Sequence, residues 1–218
     1  MNRLTQRIIV LGAMCLAACT GSLFQSKAAP PTVYLLSAGA GSPAPGTPSP
    51  AMPAAPIPAD LTVLKPKVRP GLESDRIAVL YPDRHLDYFA DARWSGPLGE
   101  VIQDLAVQAL RSHATLRNVS GDGSVFDSPY WLEIEVTDFQ AEYTSAATAP
   151  TVHVHFLARL GGSGDRLVLG RYAANAQQPA ADNRLAAIVD AYAHAADAAL
   201  AQIAAQADDT LAKLSEGR

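Results

Sequence analysis

The sequence predicts a single layered α/β domain: a mixed sheet with one mid-chain helix and a long C-terminal helix packed on it. Three observations carry this. Residues 130–139 and 151–160 alternate apolar and polar, the period-2 signature of half-buried strands. Leu98, Val101, Ile102, Leu105, Ala109 and Leu110 recur at helical spacing. A long Ala-rich stretch from about Ala181 to Leu214 carries Leu185, Ile188, Val189, Tyr192, Ala196, Leu200, Ile203 and Leu211 on one stripe.

Taken in order, the elements are justified by local chemistry. Thr32–Leu36 (TVYLL) is a short β-prone run. Ala38–Ala59 then holds seven prolines and no charged residue, so it reads as a Pro-rich spacer or insertion biased to polyproline II. Leu61–Lys65 is a second strand, and Arg76–Tyr81 a third, stopped by Pro82. Leu86–Phe89 is a short strand leading into Asp91-Ala92-Arg93-Trp94. Ser95 is placed to cap the first helix, with Pro97 in its first turn. Thr115–Val119 follows as a strand. In Tyr130–Phe139, Leu132, Ile134 and Val136 face the core, opposite Glu133, Glu135 and Thr137. Thr151–Leu160 turns Val152, Val154 and Phe156 inward. Gly161–Asp165 makes a hairpin-like turn into Arg166–Ala173.

The N-terminus reads as a targeting segment. Arg3 and Arg7 precede 11 apolar or small residues, Ile8–Ala18. That run suits a secretory signal and is too short for a span, which takes about 20 residues. It ends in Leu16-Ala17-Ala18-Cys19, a lipobox. Residues 1–18 are therefore expected to be removed as a signal peptide. Cys19 is the lipidated residue, with palmitate as a further acyl chain on its α-amine, and residues 19–31 form the tether. Two or three acyl chains anchor stably where one is marginal. Thr20 after the cysteine favours the outer membrane, by analogy with enterobacterial sorting. Cys15 leaves with the signal, so no thiol remains for catalysis or a disulfide scaffold. With 17 Lys+Arg against 21 Asp+Glu, the chain lacks the cationic excess of a nucleic-acid binder.

No catalytic constellation emerges. His153 and His155 share a strand face, with Glu133 and Glu135 as conceivable companions, but no further ligand motif accompanies them, and a solvated polar face is the simpler reading. No metal or cofactor is expected. Ser163 lacks the surroundings of a P-loop or a nucleophile elbow. Asp83, Asp87 and Asp91 have weak spacing for paired carboxylates. His113 ends a helix, where a cation suits the macrodipole.

Leu86-Asp87-Tyr88-Phe89-Ala90-Asp91-Ala92-Arg93-Trp94-Ser95-Gly96-Pro97-Leu98 resembles the signature of the ABC-type transport auxiliary lipoproteins, a PqiC-like family. The lipobox, Tyr34-Leu35-Leu36, Asp138-Phe139 and the terminal helix fit in the right order, so the resemblance covers about residues 32–214. The sequence departs from the family pattern in the Pro-rich insertion and at Gly96. The resemblance implies a non-enzymatic periplasmic subunit of an intermembrane lipid transport system, partnered by an MCE-domain protein and an ABC transporter or permease. It is compatible with a homo-oligomer. Within the motif, Arg93 is placed to pair with Asp91, and Trp94 to close the core beside the helix; contact with a partner is the alternative role for the three. The competing functional classes are a cell-envelope lipoprotein hydrolase and a structural outer-membrane assembly lipoprotein.

Overall fold

The computed structural model describes residues 30–38, 57–124, 128–145, 148–164 and 167–216. The signal segment, Cys19 and most of the Pro-rich segment lie outside the described residues. Residues Pro31–Arg218 form one compact unit. Nine strands make one mixed sheet: β1 (Thr32–Tyr34), β2 (Ile57–Val63), β3 (Lys67–Val68), β4 (Arg76–Leu80), β5 (Leu86–Trp94), β6 (Leu116–Gly121), β7 (Tyr130–Glu142), β8 (Thr151–Gly162) and β9 (Val168–Pro179). Two helices, α1 (Leu98–His113) and α2 (Leu185–Glu216), complete the α/β domain.

The sheet is organised around β7. One of its edges pairs antiparallel with β8 along its whole length, and β8 in turn pairs with β9. β2, β3 and β4 all run parallel to β7 and take successive stretches of it. β6 extends the sheet from β2, while β5 and β1 extend it from β4. The alternation read from sequence decides which face is covered. Leu132, Ile134 and Val136 of β7, and Val152, Val154 and Phe156 of β8, are all buried beneath the helices. Ala191, Ala195, Ala196, Ala199, Ala204 and Ala207 of α2 are buried too, and their small side chains let the helix lie close to the sheet.

Several boundaries differ from the sequence reading, each for a local reason. β2 starts at Ile57, inside the stretch read as insertion. The strand tolerates Pro58 because its pairing with β6 shifts between Ile57 and Asp60, where no N–H is required. β3 has only two residues, too few for a periodic signal. β5 continues to Trp94 because its pairing with β4 jumps between Arg76/Arg93 and Ala78/Tyr88. That irregularity contains Asp91 at φ +53°, a left-handed conformation that Asp tolerates better than most residues. The α1 N-cap is Pro97, with no side-chain cap, so Ser95 does not cap the helix. Arg111 and His113 do occupy the last turn of α1, and His113 Nε2 lies 3.1 Å from Asp197 Oδ1 of α2. β9 runs on to Pro179, and α2 begins at Leu185.

The core closes on an aromatic cluster. Trp94 meets Tyr192 edge-on at 5.2 Å between centroids, and Phe139 lies 5.0 Å from Tyr192 and 6.0 Å from Trp94. The Tyr192 hydroxyl donates to the Ala78 carbonyl at 2.6 Å, tying α2 to β4. Burial pushes that hydroxyl's pKa far up, so it stays protonated. On the opposite face Gly161 lies under the Trp131 indole, and an added Cβ would sit 2.1 Å from Cζ2. Only glycine permits that approach.

Trp94 is 2 % exposed. Trp94→Ala is expected to cost about 3–5 kcal/mol. Urea unfolding checks this: the midpoint should fall while the slope stays unchanged.

Candidate functional site

The face of the sheet away from the helices is a polar surface built by strand alternation. On β7 it carries Trp131, Glu133, Glu135, Asp138, Gln140 and Glu142. β8 places Arg159 opposite Glu133, Leu157 opposite Glu135, His155 opposite Asp138 and His153 opposite Gln140. β9 adds Arg171, Asn175 and Gln177 in the same rows.

Glu133 sits between two cations on this face. Lys67 Nζ from β3 lies 2.6 Å from its carboxylate on one side, and Arg159 from β8 pairs with it on the other. The Lys67 hydrogen bond, helped by Arg159, holds the Glu133 pKa below the usual carboxylate range against the opposing effect of burial.

Further along β7 the pairing with β8 slips between Val136 and Asp138. This bulge leaves Thr137 out of register, and its hydroxyl donates to the His155 carbonyl at 3.0 Å while lying 2.8 Å from Nδ1. The slip aligns Asp138 with His155 at 3.6 Å, and His153 lies 3.7 Å from Glu142. Arg69 approaches Asp138 at 3.6 Å from the other side. Gln140 joins the two carboxylates, donating to Glu142 at 3.0 Å and to Asp138 at 3.3 Å, and accepts from the Phe139 N–H at 2.8 Å. Shallow hollows flank this ridge. One of about 220 Å³ is lined by Arg69, Leu72, Arg84 and Leu86, and one of about 270 Å³ by His153, His155, Asn175 and Gln177.

His153 and His155 thus share a face, but Glu133 is engaged elsewhere, and the two imidazoles face different carboxylates. Among the described residues no group of three or more His, Cys, Asp or Glu converges to hold a metal ion. Asp83, Asp87 and Asp91 are not drawn together. Asp83 Oδ1 accepts from the His85 N–H at 3.1 Å, and Asp87 Oδ1 from the Tyr88 N–H at 2.8 Å. Asp91 occupies the irregular stretch of β5. Ser163 serves a loop contact, its hydroxyl donating to the Ser128 carbonyl at 2.7 Å. Within Asp91-Ala92-Arg93-Trp94 the side chains part ways. Trp94 enters the core, while Arg93 pairs with Asp75 at 3.0 Å, not with Asp91. Asp75 reaches it because its own carbonyl accepts from the Trp94 N–H at 2.7 Å, fixing that loop beside β5.

The sequence reading missed the stack of Tyr81 on Tyr143, 5.7 Å between centroids and 15° apart, and of Tyr81 on His85 at 6.1 Å. Only the β4–β7 pairing brings Tyr81 and Tyr143 together.

One covered face and one polar, cross-linked face define a single-domain α/β protein with a broad surface to present. The family model for the ABC-type transport auxiliary lipoprotein component matches residues 34–204, and the chain belongs to that family. It is thus an auxiliary lipoprotein of an ABC-type transport system, a class associated with the cell envelope. Among solved structures, it resembles a Xanthomonas campestris protein of the DUF330 family with a TM-score of 0.67 and 22% identity, covering 85% of this chain and 97% of that one. An uncharacterized protein matches with a TM-score of 0.59 and 15% identity, over 83% and 98%. A hypothetical protein from Chlamydia trachomatis matches with a TM-score of 0.50 and 9% identity, over 71% and 98%. At these identities the structures establish the fold. No curated protein matches the chain.

Because the Glu133 pKa is lowered in the folded state, its stabilising contribution is present above the unfolded value of about 4.3 and is lost as pH falls through the folded value. Glu133→Gln should therefore cost about 0.5–1 kcal/mol at pH 7 and flatten the fall in stability below about pH 4. Thermal melting from pH 7 to 3 checks both expectations; an unchanged acid limb would rule out this role for Glu133.

Proposed function

We propose that the protein is a non-enzymatic docking subunit of an intermembrane lipid transport system. Anchored through lipidated Cys19 on the periplasmic side of the outer membrane, it receives or stabilises an assembly of MCE-domain protein and ABC permease. Residues 1–18 are removed, residues 19–31 tether the domain, and residues 32–214 form its folded part, with the Pro-rich segment inserted after β1. Family membership supports the transport role. The observation that carries the docking role is the polar face, where cations and carboxylates from β3, β7 and β8 are cross-linked in rows on a rigid sheet. Such a patterned surface selects a partner by charge complementarity. In the Asp91-Ala92-Arg93-Trp94 block, Trp94 has a structural role, while Asp91 and Arg93 remain available at the surface for contact.

Two measurements test this. Cys19→Ser should release the protein from membranes; continued membrane association with fatty-acid labelling would exclude Cys19 as the anchor. Crosslinking and purification from membranes should recover an MCE-domain protein. Glu135→Lys, an exposed reversal on the polar face, should reduce that recovery about tenfold while leaving thermal stability unchanged. Recovery of no MCE-domain partner across crosslinking conditions would refute the docking role.

A further inference from the structure

β1 is the first described strand, and its direction fixes the end of the sheet at which the described chain begins. It runs parallel to β5, with Thr32 opposite Ala92 and Tyr34 opposite Trp94. The chain therefore enters β1 from the side of Leu86, where β5 begins. Leu80 pairs with both Leu86 and Glu142, so the β4–β5 turn and the end of β7 lie together at this end of the sheet.

This end carries the aromatic stack. The turn from Tyr81 to His85 is closed by the Tyr81 N–H donating to the His85 carbonyl at 3.0 Å and the Arg84 N–H donating to the Tyr81 carbonyl at 2.8 Å. Tyr81 is held between His85 and Tyr143. The Tyr143 hydroxyl donates to Asn183 Oδ1 at 2.5 Å, which braces the stack against the segment leading into α2. Tyr81 is nonetheless 37 % exposed and Leu86 36 %. Of the acids nearby, Asp182 pairs with Arg184 and Glu142 lies 3.7 Å from His153 Nε2, while Asp83 and Asp87 accept the backbone N–H groups of His85 and Tyr88. Arg84 is exposed beside them.

We infer that this end of the domain rests on the phospholipid surface that holds the anchor, with Tyr81, His85 and Leu86 at the headgroup level. Tyrosine joins an apolar ring to a polar hydroxyl and favours the membrane–water interface, and an arginine beside it suits lipid phosphates. The direction of β1 supplies the placement, because its first residue points back toward this end. The tether's 13 residues from Cys19 to Pro31 span at most about 45 Å when extended. The pairing with β4 sets the separation: Arg93, beside the start of β1, lies level with Arg76, and Leu86 lies level with Leu80, four residues or about 13 Å along β4, so the stack lies within the tether's reach. The inference rests on the Cys19 anchor.

The experiment uses the full chain, processed and acylated, in vesicles of phosphatidylethanolamine and phosphatidylglycerol. His85→Cys supplies a single reactive thiol, because Cys19 is modified, and carries an environment-sensitive fluorophore. Leu86→Cys gives a second reading. Gly123→Cys is the control: a Cβ there meets nothing within 4 Å, and Gly121 lies level with Leu132, about 30 Å along β7 from Glu142. The labels at 85 and 86 should shift to the blue and lose intensity with lipids spin-labelled near the headgroup, while the label at 123 keeps its spectrum in water. Vesicle flotation is read first. Protein that fails to float refutes the anchor and this inference with it; protein that floats with both tip labels in water refutes this inference alone.

Discussion

The pairing of β7 is the constraint on which the rest of the structure depends. Its 13 residues make it much longer than the usual strand of about 5–6. β8 occupies one edge without a break except at the bulge. The other edge is shared in series. β2 covers 130–132, β3 covers 135–136 and β4 covers 141–142. Between them the chain stays close, with the Leu64 N–H donating to the Leu132 carbonyl at 2.9 Å and the Arg69 N–H to the Val136 carbonyl at 3.0 Å. It then leaves β7 and returns as β4. The stretch it skips is the bulge, where the Phe139 N–H takes the Gln140 side chain as its acceptor.

That one irregularity links core and surface. Shifting the register by one residue moves side chains between the faces, so a bulge must restore the alternation beyond it. Val136 is buried before the bulge, and Phe139 and Ala141 after it. Phe139 therefore reaches Trp94 and Tyr192, while Asp138, Gln140 and Glu142 meet the β8 histidines on the polar face. Tyr192 completes the connection by donating to Ala78 on β4, so α2, β4 and β7 are fixed together at one place.

The fold class was legible because burial writes a period into the sequence. The inward sets of β7 and β8 and the stripes of both helices could be read residue by residue. Irregular backbone left no such period. Asp91 at positive φ let β5 run on to Trp94, and the register shift around Pro58 let β2 start within a Pro-rich stretch. Pairing between distant residues was equally hidden. Arg93 had a carboxylate two residues away in Asp91, but the Asp75 loop lies beside it in space. On the polar face, the shared side of His153 and His155 followed from strand period. Their carboxylates, Glu142 and Asp138, were set by the bulge and by cross-strand pairing.

The sheet face away from the helices is polar, with its charges paired across the strands. A flat apolar face would invite indiscriminate association. Here Lys67 and Arg159 bracket Glu133, and Arg69 and His155 flank Asp138. Pairs this exposed add little stability individually, so stability alone does not account for the pattern. A partner that covers the face must match these charges or bear the cost of burying them unmatched. Such an arrangement rejects wrong partners more strongly than it attracts the right one. With the proposed anchoring through Cys19, confinement at the membrane would supply the effective concentration and leave the face to supply selectivity.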